Sequence, residues 1–181
     1  IYLFAHGKSF RTHNDRDMVS FGANKTVLEM VYDDEGRKRE ISFELFKTKR
    51  RECKINKAPA KLSEVIGLFR AVLFCPDHLS IVKDGPAVRR NFLNGAICQL
   101  KPVYLKSLQR YNHILEQRNS LIKQSEERPE KYKGVIDIYS EELAREAAYI
   151  YSVRKEYIEK LSEKIVVSAD FQIINIQQLI V

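Results

Sequence analysis

Residues 27–45 read VLEMVYDDEGRKREISFEL. The stretch begins with an apolar, β-branched run at 27–32 and ends with an alternating run at 41–45, where Ile, Phe and Leu occupy every second position. Between these runs, residues 33–36 (DDEG) have the composition of a tight turn. Alternation with period two is typical of a strand that buries one face. The stretch therefore predicts two antiparallel strands joined by a hairpin.

The neighbouring segments extend this prediction in both directions. A third β-rich run, residues 52–55 (ECKI), ends at the turn-prone pair Asn56-Lys57 and predicts a further strand of an antiparallel meander. Upstream, residues 1–8 predict the end of a helix that Gly7 stops. Downstream, residues 60–69 predict a short helix, and the apolar run 71–74, which precedes Pro76, predicts a buried strand.

Beyond Gly85 the hydrophobic period changes from two to that of helices. Pro86 is suited to the first position of a helix, where its missing N–H costs nothing. The six positions of the first stripe and the six of the second are spaced alternately by four and three residues: Tyr104, Leu108, Tyr111, Leu115, Arg118 and Ile122, then Leu143, Ala147, Ile150, Arg154, Tyr157 and Leu161. Residues 125–134 contain a proline and a glycine and predict a turn. The pattern predicts an antiparallel helical hairpin with Arg118 and Arg154 at core positions.

These elements predict an α+β chain in three parts. Residues 1–85 form a β-rich part, 86–165 a helical-hairpin lobe, and 166–181 an atypical tail. No window approaches the ~20 consecutive apolar residues of a membrane span, so no membrane association is expected. The three cysteines are far apart and in no paired spacing. That excludes a disulfide scaffold or zinc ribbon and predicts a reducing cytoplasm.

The positive charge is concentrated in one stretch. The chain carries 31 Lys and Arg against 24 Asp and Glu, a formal net charge of +7, and residues 37–57 hold nine basic and three acidic side chains. Such a cluster is typical of a surface that meets a polyanion. Basic side chains on an exposed strand edge also prevent edge-to-edge aggregation. Charge alone leaves both interpretations open.

Four groups of residues imitate functional motifs. Residues 22–26 (GANKT) lack the second glycine that a phosphate-binding loop requires before its lysine. Residues 33–36 lack the alternating acidic positions of a calcium loop, so a hairpin turn is favoured there. Cys75 and His78 could form a thiolate–imidazole pair, but a cysteine that ends an apolar strand is more often a small buried side chain. The fourth group is a metal-like set: His6, His13, Asp15 and Asp17. Nothing in the sequence fixes its geometry.

Two further groups of cations are candidates for phosphate contact. Arg89 and Arg90 follow the predicted helix start, where basic residues oppose the helix dipole. Phosphate binding or an ion pair to a neighbouring element would each account for them. Lys8, Arg11 and Arg16 lie in or beside the loop after the first helix, and such a loop either reaches a phosphate or is simply solvated.

Three segments together resemble the RecF family of bacterial replication and repair proteins, which are relatives of the SMC-type ABC ATPases. The segments are 7–12 (GKSFRT), 73–79 (LFCPDHL) continuing into 83–93 (KDGPAVRRNFL), and 99–104 (QLKPVY) continuing into 111–119 (YNHILEQRN). Each is weak alone, but their order and spacing are specific. The resemblance implies that the β-rich part belongs to an ABC-ATPase-like head and that the helical hairpin is a shortened SMC arm.

The same resemblance implies an ATP-dependent clamp on DNA that helps to load recombinase at gaps, with RecO and RecR as partners. ATP sandwiched between two subunits would drive homodimer formation. By this resemblance Arg11 lies near the nucleotide, and Asp77, at the position of the Q-loop, holds magnesium or its water. The cations expected at DNA phosphates are Lys8, Lys47, Lys49, Arg50, Arg51, Arg89 and Arg90.

The sequence also departs from the family. The phosphate-binding loop is expected upstream of residue 1, the signature motif and the magnesium-binding acidic strand downstream, and residues from 165 onward do not resemble the family. We therefore expect an incomplete chain that binds neither ATP nor magnesium alone. The alternative hypothesis is a non-enzymatic protein-interaction module with a coiled-coil-like arm. A stand-alone hydrolase is disfavoured, since no set of nucleophile, base and orienting residue can be assembled.

Overall fold

A computed structural model of the chain describes residues 1–73, 81, 83–126 and 129–164. The chain divides into two compact units. One consists of Ile1–Cys75 with Cys98–Pro102, and the other of Pro76–Ile97 with Val103–Val181. Within the described ranges no helix is both long enough and apolar enough to cross a membrane.

The first unit begins with a short helix, α1 (Tyr2–His6). It ends at Gly7, whose backbone has φ 67° and whose N–H donates to the Leu3 carbonyl at 2.8 Å. A glycine adopts this left-handed conformation without steric cost, which makes it a common helix stop. The predicted helix end is confirmed. A 3₁₀ helix, Asp15–Met18, follows.

A four-stranded antiparallel sheet forms the body of this unit. Its strands are β1 (Lys25–Asp34), β2 (Arg37–Phe46), β3 (Glu52–Ile55) and β4 (Ala58–Ala60), in the spatial order β1-β2-β3-β4. The predicted three-stranded meander is confirmed. The fourth strand was not predicted, because it is three residues long and contains a proline at its centre, which sequence patterns place outside a sheet.

Two-residue turns set the register of the sheet. Glu35 and Gly36 have φ of 52° and 81° between β1 and β2, and Asn56 and Lys57 have φ of 49° and 69° between β3 and β4. Positive φ at both central residues is the geometry that matches the twist of a hairpin. The first turn pairs Asp34 with Arg37 and so carries the register along the whole of β2.

The apolar core lies against one face of this sheet. Ile41, Phe43 and Leu45 of β2 are fully buried. The rest of the buried cluster comes from α1, the loop before β1, β3 and the short helix α2 (Leu62–Val65): Leu3, Phe4, Val19, Cys53 and Val65. The rings of Phe4 and Phe43 lie 5.1 Å apart. The opposite face leaves Val27 and Val31 of β1 exposed.

Two predictions that follow the sheet are wrong. Residues 60–69 are helical only in α2, because Gly67 has φ 95° and a Cβ there would lie 2.8 Å from the Gln99 carbonyl oxygen. Residues 71–73 form no strand, and Val72 is 95% exposed. The reason is that the Ala71 N–H donates to the Gln99 side chain at 3.0 Å instead of to a strand. Residue 74 lies outside the described residues.

The second unit is helical. Its elements are most of α3 (Pro86–Leu100), then α4 (Pro102–Ser125) and α5 (Pro129–Lys164). The predicted helices of this region are confirmed, and each of α3, α4 and α5 begins at a proline. The turn predicted over residues 125–134 is too long, because α5 already begins at Pro129 and contains Gly134. The proline opens that helix, and a Cβ at Gly134 would meet nothing.

Contacts between α4 and α5 show that they form the predicted antiparallel hairpin. Ser107 donates to Glu146 near the base, Arg118 Nε donates to Ser140 Oγ at 2.7 Å, and the Tyr139 hydroxyl donates to Gln117 at 3.2 Å. Among the residues of this unit that the structure describes, the buried apolar side chains are Leu93, Ile97, Tyr104, Leu105, Ile114, Ile150, Val153 and Ile158. Arg118 therefore belongs to a polar seam within the hairpin.

Candidate nucleic-acid surface and helical cavity

Arg51, in the segment between β2 and β3, joins three parts of the first unit. Its Nε donates to Asp15 Oδ2 at 2.6 Å, Nη2 donates to the other oxygen of the same carboxylate, and Nη1 donates to the Gly7 carbonyl at 2.6 Å. Both side chains of the ion pair are mostly buried. A two-pronged guanidinium–carboxylate contact of this kind fixes orientation as well as distance. We name this cluster of Arg51, Asp15 and Gly7 the Arg51 anchor.

The loop after α1 is ordered by its own side chains. Ser9 Oγ accepts hydrogen bonds from the backbone N–H of Arg11 at 3.1 Å and of Thr12 at 3.4 Å. The Thr12 hydroxyl in turn donates to Asp17. The Arg11 guanidinium lies 5.4 Å from the centre of the Phe10 ring, and both Lys8 and Arg11 are exposed. An ordered turn therefore presents both predicted cations to solvent.

The four predicted cations of the β2–β3 segment differ in their surroundings. Lys49 pairs with Glu52 at 2.5 Å and lies 3.9 Å over the ring of Phe46. Arg50 is exposed and, like Arg51, lines an open groove of about 650 Å³. Within the described part of the chain, neither Lys47 nor Arg50 forms an ion pair. These two are the cations of the segment whose charge is not locally balanced.

Carboxylates neutralise part of the charge of the same stretch. Glu44 lies between Lys54 Nζ at 2.6 Å and Lys25 Nζ at 3.0 Å. The hydrogen bonds from Lys54 and then Lys25 lower the pKa of Glu44 to about 2, and Glu44 raises the pKa of Lys54. Arg39 pairs with Asp34 at 2.7 Å. The charge of residues 37–57 is thus less available to a ligand than its sum suggests.

The metal-like set does not assemble. His6 Nε2 lies 3.1 Å from Gln99 Nε2 and 3.2 Å from the Ala71 carbonyl oxygen. Gln99 Oε1 accepts from the Ala71 N–H, so its amide NH₂ faces His6 Nε2, and whether Nε2 accepts from this amide or donates to the Ala71 carbonyl depends on the imidazole tautomer. Burial lowers the pKa of His6. Over residues 1–73, 81, 83–126 and 129–164 there is no group of three or more His, Cys, Asp or Glu that could hold a metal.

The two arginines at the start of α3 lie in the second unit. Arg89 Nη1 donates to the Asp84 carbonyl at 2.7 Å, and its Nε is buried without a partner among the described residues. Arg90 lines a cavity between the three helices. Their contact with phosphate stays a prediction. Asp77, with Cys75 and His78, lies outside the described residues.

That cavity, of about 520 Å³, has a polar base that the sequence did not predict. Arg154 Nε donates to the Tyr104 hydroxyl at 3.1 Å, and Nη2 donates to Asn94 Oδ1 at 2.9 Å. The Tyr104 hydroxyl also donates to Asn94 Oδ1, at 2.5 Å. We name these three residues the Arg154 cluster. The signal available in the sequence was an arginine at a heptad core position, which indicates a polar layer but not its partners.

No family model matches the chain. Among curated relatives, the DNA replication and repair protein RecF of Clostridium botulinum (strain ATCC 19397 / Type A) is 36% identical over 163 residues. RecF of Acetivibrio thermocellus is 36% identical over 166 residues. Each match covers 90% of this chain and 44% of the relative, so the chain spans less than half the length of the curated relatives it matches.

Solved structures agree with the sequence relatives. The recombination mediator protein RecF-ATPrS in the RecFOR pathway matches with a TM-score of 0.83 and 29% identity, over 89% of this chain and 44% of the other. RecF-ATP in the RecFOR pathway matches with a TM-score of 0.80 and 30% identity. The fold is thus of the α+β class and corresponds to part of an ABC-ATPase-like protein. More specifically, the chain belongs to the RecF family, as the three segments predicted.

Proposed function

We propose that this chain supplies a DNA-contacting surface of a RecF-type replication and repair protein. Its relatives are named for DNA replication and repair, and its solved neighbours are described as RecF with ATP in the RecFOR pathway. By analogy, the whole protein binds ATP, magnesium and DNA, closes as an ATP-driven homodimer, and works with RecO and RecR. We retain the division into lobes at residues 1–85 and 86–165 as part of this proposal.

The Arg51 anchor is the observation that carries the proposal. It ties the segment that contains Lys47 and Arg50 to the end of α1, directly before Lys8. Cations from two distant parts of the chain are thereby brought to one region of the first unit, which is the arrangement a phosphate backbone requires. In this proposal Lys8, Lys47, Lys49 and Arg50 contact phosphates, and Arg51 positions them. Arg89 and Arg90 would contact phosphates from the second unit.

For the nucleotide, Arg11 is the described residue that fits best. Its guanidinium is exposed, and an ordered turn holds its backbone. A guanidinium keeps its charge at all physiological pH values and can contact two phosphate oxygens at once. Bound ATP with magnesium would supply the negative charge that Arg11 meets. Asp77 is our candidate for holding the magnesium ion or its water.

Lys47 and Arg50 are better targets than Arg51 for a test of this surface. Arg51→Glu would place a carboxylate against Asp15 and so disrupt the anchor, whereas Lys47 and Arg50 can be changed without breaking an ion pair of the described chain. The test is fluorescence anisotropy with labelled single-stranded, duplex and gapped DNA over a salt series. The variant Lys47→Glu/Arg50→Glu is compared with Arg37→Glu/Lys38→Glu, which makes the same charge change at the β1–β2 turn.

We expect the wild-type chain to bind DNA with an affinity that falls steeply with salt, because binding releases counterions. The Lys47→Glu/Arg50→Glu variant loses two phosphate contacts, so its plot of log Kobs against log salt should be less steep by about 2. The Arg37→Glu/Lys38→Glu control should keep most of that slope. Equal losses in both variants would show a general charge effect and contradict the surface. No binding of any DNA at low salt would contradict the proposal itself.

A protein-interaction arm is the second candidate function. Ile122 in the last turn of α4 and Val135 and Ile138 near the start of α5 are exposed apolar side chains, with Ile138 61% exposed. Exposed apolar side chains of this kind are typical of protein contacts when they are contiguous. If Ile138→Glu abolishes binding of the chain to purified RecR while DNA binding is unchanged, the hairpin is a partner surface. Unchanged binding to RecR would contradict this function for the arm.

A further inference from the structure

The cavity of the second unit has no assigned role. Each of α3, α4 and α5 contributes four lining residues at the spacing i, i+3, i+4 and i+7, which is one face of a helix. The three faces thus converge on one space of about 520 Å³. Binding sites for small molecules have volumes of roughly 300–1,000 Å³ and combine apolar walls with a few convergent polar groups. This cavity has both properties.

Arg154 gives the cavity a fixed positive charge. Its Nε and Nη2 are held by the Tyr104 hydroxyl and by Asn94 Oδ1, and both acceptors are neutral. No ion pair of Arg154 is found in the described part of the second unit. A guanidinium has five N–H donors in one plane, so two bonds leave donors for a ligand. One edge of the group is therefore locked while the charge stays available to an anion.

The aromatic side chains in the cavity lining favour a ligand that carries a planar ring beside its anionic group. Tyr111 is half-buried and Tyr151 is 55% exposed, and both line the cavity. Aromatic faces of this kind stack with nucleobases irrespective of their sequence. Asn91 and Asn112, also in the lining, carry amides that both donate and accept, as the edges of bases require. Phosphate, base face and base edge each have a matching group.

We propose that this cavity binds a nucleoside monophosphate unit, with its phosphate on Arg154 and its base against Tyr111 and Tyr151. The same unit occurs as a free mononucleotide and as one residue of a single strand. The site lies in the second unit. Arg90 also lines this cavity, but the proposed contacts come from Arg154, Tyr111 and Tyr151, none of which belongs to the proposed DNA surface. It therefore goes beyond the function proposed above and can succeed or fail independently of it.

Calorimetric titration of the full chain with dAMP, adenosine and inorganic phosphate tests the proposal. We expect saturable binding of dAMP, with adenosine and phosphate each at least about 10-fold weaker, because each lacks one of the matched groups. Tyr151→Leu should weaken dAMP binding about 10-fold, since it removes a stacking face, and leave phosphate binding unchanged. Tyr139→Leu makes the same change elsewhere on α5, outside the cavity lining, and should leave dAMP binding unchanged.

One further variant and one further ligand complete the test. Arg154→Lys keeps the charge but loses the planar fork, so dAMP binding should fall while the melting temperature reports whether the helices still pack. The same titrations with (dA)₁₂ identify the source of the unit. Sensitivity of dAMP binding to Tyr151→Leu supports a free nucleotide, and sensitivity confined to (dA)₁₂ supports a strand. If neither ligand binds, or if both bind Tyr151→Leu and Arg154→Lys as well as wild type, the proposal is overturned.

Discussion

Each unit holds an arginine in a polar cluster, and the two clusters treat its charge differently. In the first unit Arg51 meets the carboxylate of Asp15, so the ion pair is electrically balanced. In the second unit Arg154 meets the hydroxyl of Tyr104 and the amide of Asn94, which orient the guanidinium without neutralising it. A balanced cluster suits a structural tie between segments. An unbalanced one suits contact with a charged ligand.

The interiors of the two units also differ in polarity. Beneath the sheet, the buried cluster is made of apolar side chains and one cysteine. Between α4 and α5, polar contacts such as Ser107 to Glu146 and Arg118 to Ser140 recur along the seam. We infer that the first unit gains stability mainly from burial, whereas the second gives up part of that stability for fixed polar positions.

The largest expected effect is that of Phe43→Ala. Phe43 is fully buried and packs against Phe4, so its truncation should cost about 3–5 kcal/mol of unfolding free energy. Urea denaturation followed by circular dichroism measures the loss. Val27→Ala, on the exposed face of β1, is the control and should cost less than about 0.5 kcal/mol. Similar losses for the two variants would show that the core does not lie where we place it.

Arg154→Met comes next in size. It removes the two charge-assisted hydrogen bonds that Arg154 donates to the Tyr104 hydroxyl and to Asn94 Oδ1, at a cost of about 2–3 kcal/mol. Replacing all three residues, in Arg154→Met/Tyr104→Phe/Asn94→Leu, should cost less than the sum of the single changes. Thermal and urea unfolding of the three single variants and the triple variant give the comparison. Strict additivity would mean that the three side chains do not act as one cluster.

Arg51→Met should cost about 1–3 kcal/mol, since it breaks the contact with Asp15 and frees the Gly7 carbonyl. The neighbouring change Arg50→Met removes the same charge from an exposed side chain and should cost less than about 0.5 kcal/mol. Urea midpoints separate the two. If Arg50→Met is as costly as Arg51→Met, the anchor is not what stabilises this corner.

The smallest expected effect is a pH dependence that comes from His6. Burial holds the pKa of His6 below its ordinary value of 6.5, so just below that pH the unfolded chain binds more protons than the folded one. The stability that neutral, buried His6 contributes is therefore fully present above about pH 6.5. It is lost as the pH falls from that value toward the lowered pKa of the folded state. In the His6→Asn variant, the urea midpoint should depend less on pH between about pH 7 and about pH 5 than it does in the wild type. An unchanged slope in that variant would assign the effect to other groups.

Local patterns predicted the elements whose causes are local. Alternation in residues 41–45 predicted β2, and Gly7 predicted the end of α1. The length of α2 was missed because Gly67 is constrained by Gln99, a residue distant in sequence, and the missing strand at 71–73 has the same cause. Tertiary contacts of this kind leave no periodic signal in the sequence.

The candidate sites follow the same rule. The cations of the β2–β3 segment are visible in the composition, but the pairing of Arg51 with Asp15 depends on how the sheet meets the end of α1. In the second unit, Arg154 was marked by its heptad position. Its partners Tyr104 and Asn94 come from two other helices, so only the fold reveals them.

The Arg51 anchor also has a consequence for the order of folding events. Its contacts join residues separated by 36 and 44 positions along the chain, whereas the hairpin of β1 and β2 closes over two residues. Because closing a long loop costs chain entropy before any contact compensates for it, the anchor should form after the hairpin and late in folding. Its loss should then accelerate unfolding and leave the folding rate almost unchanged. The Arg51 anchor would thus determine how slowly this part of the first unit unfolds and have little influence on how quickly the sheet forms.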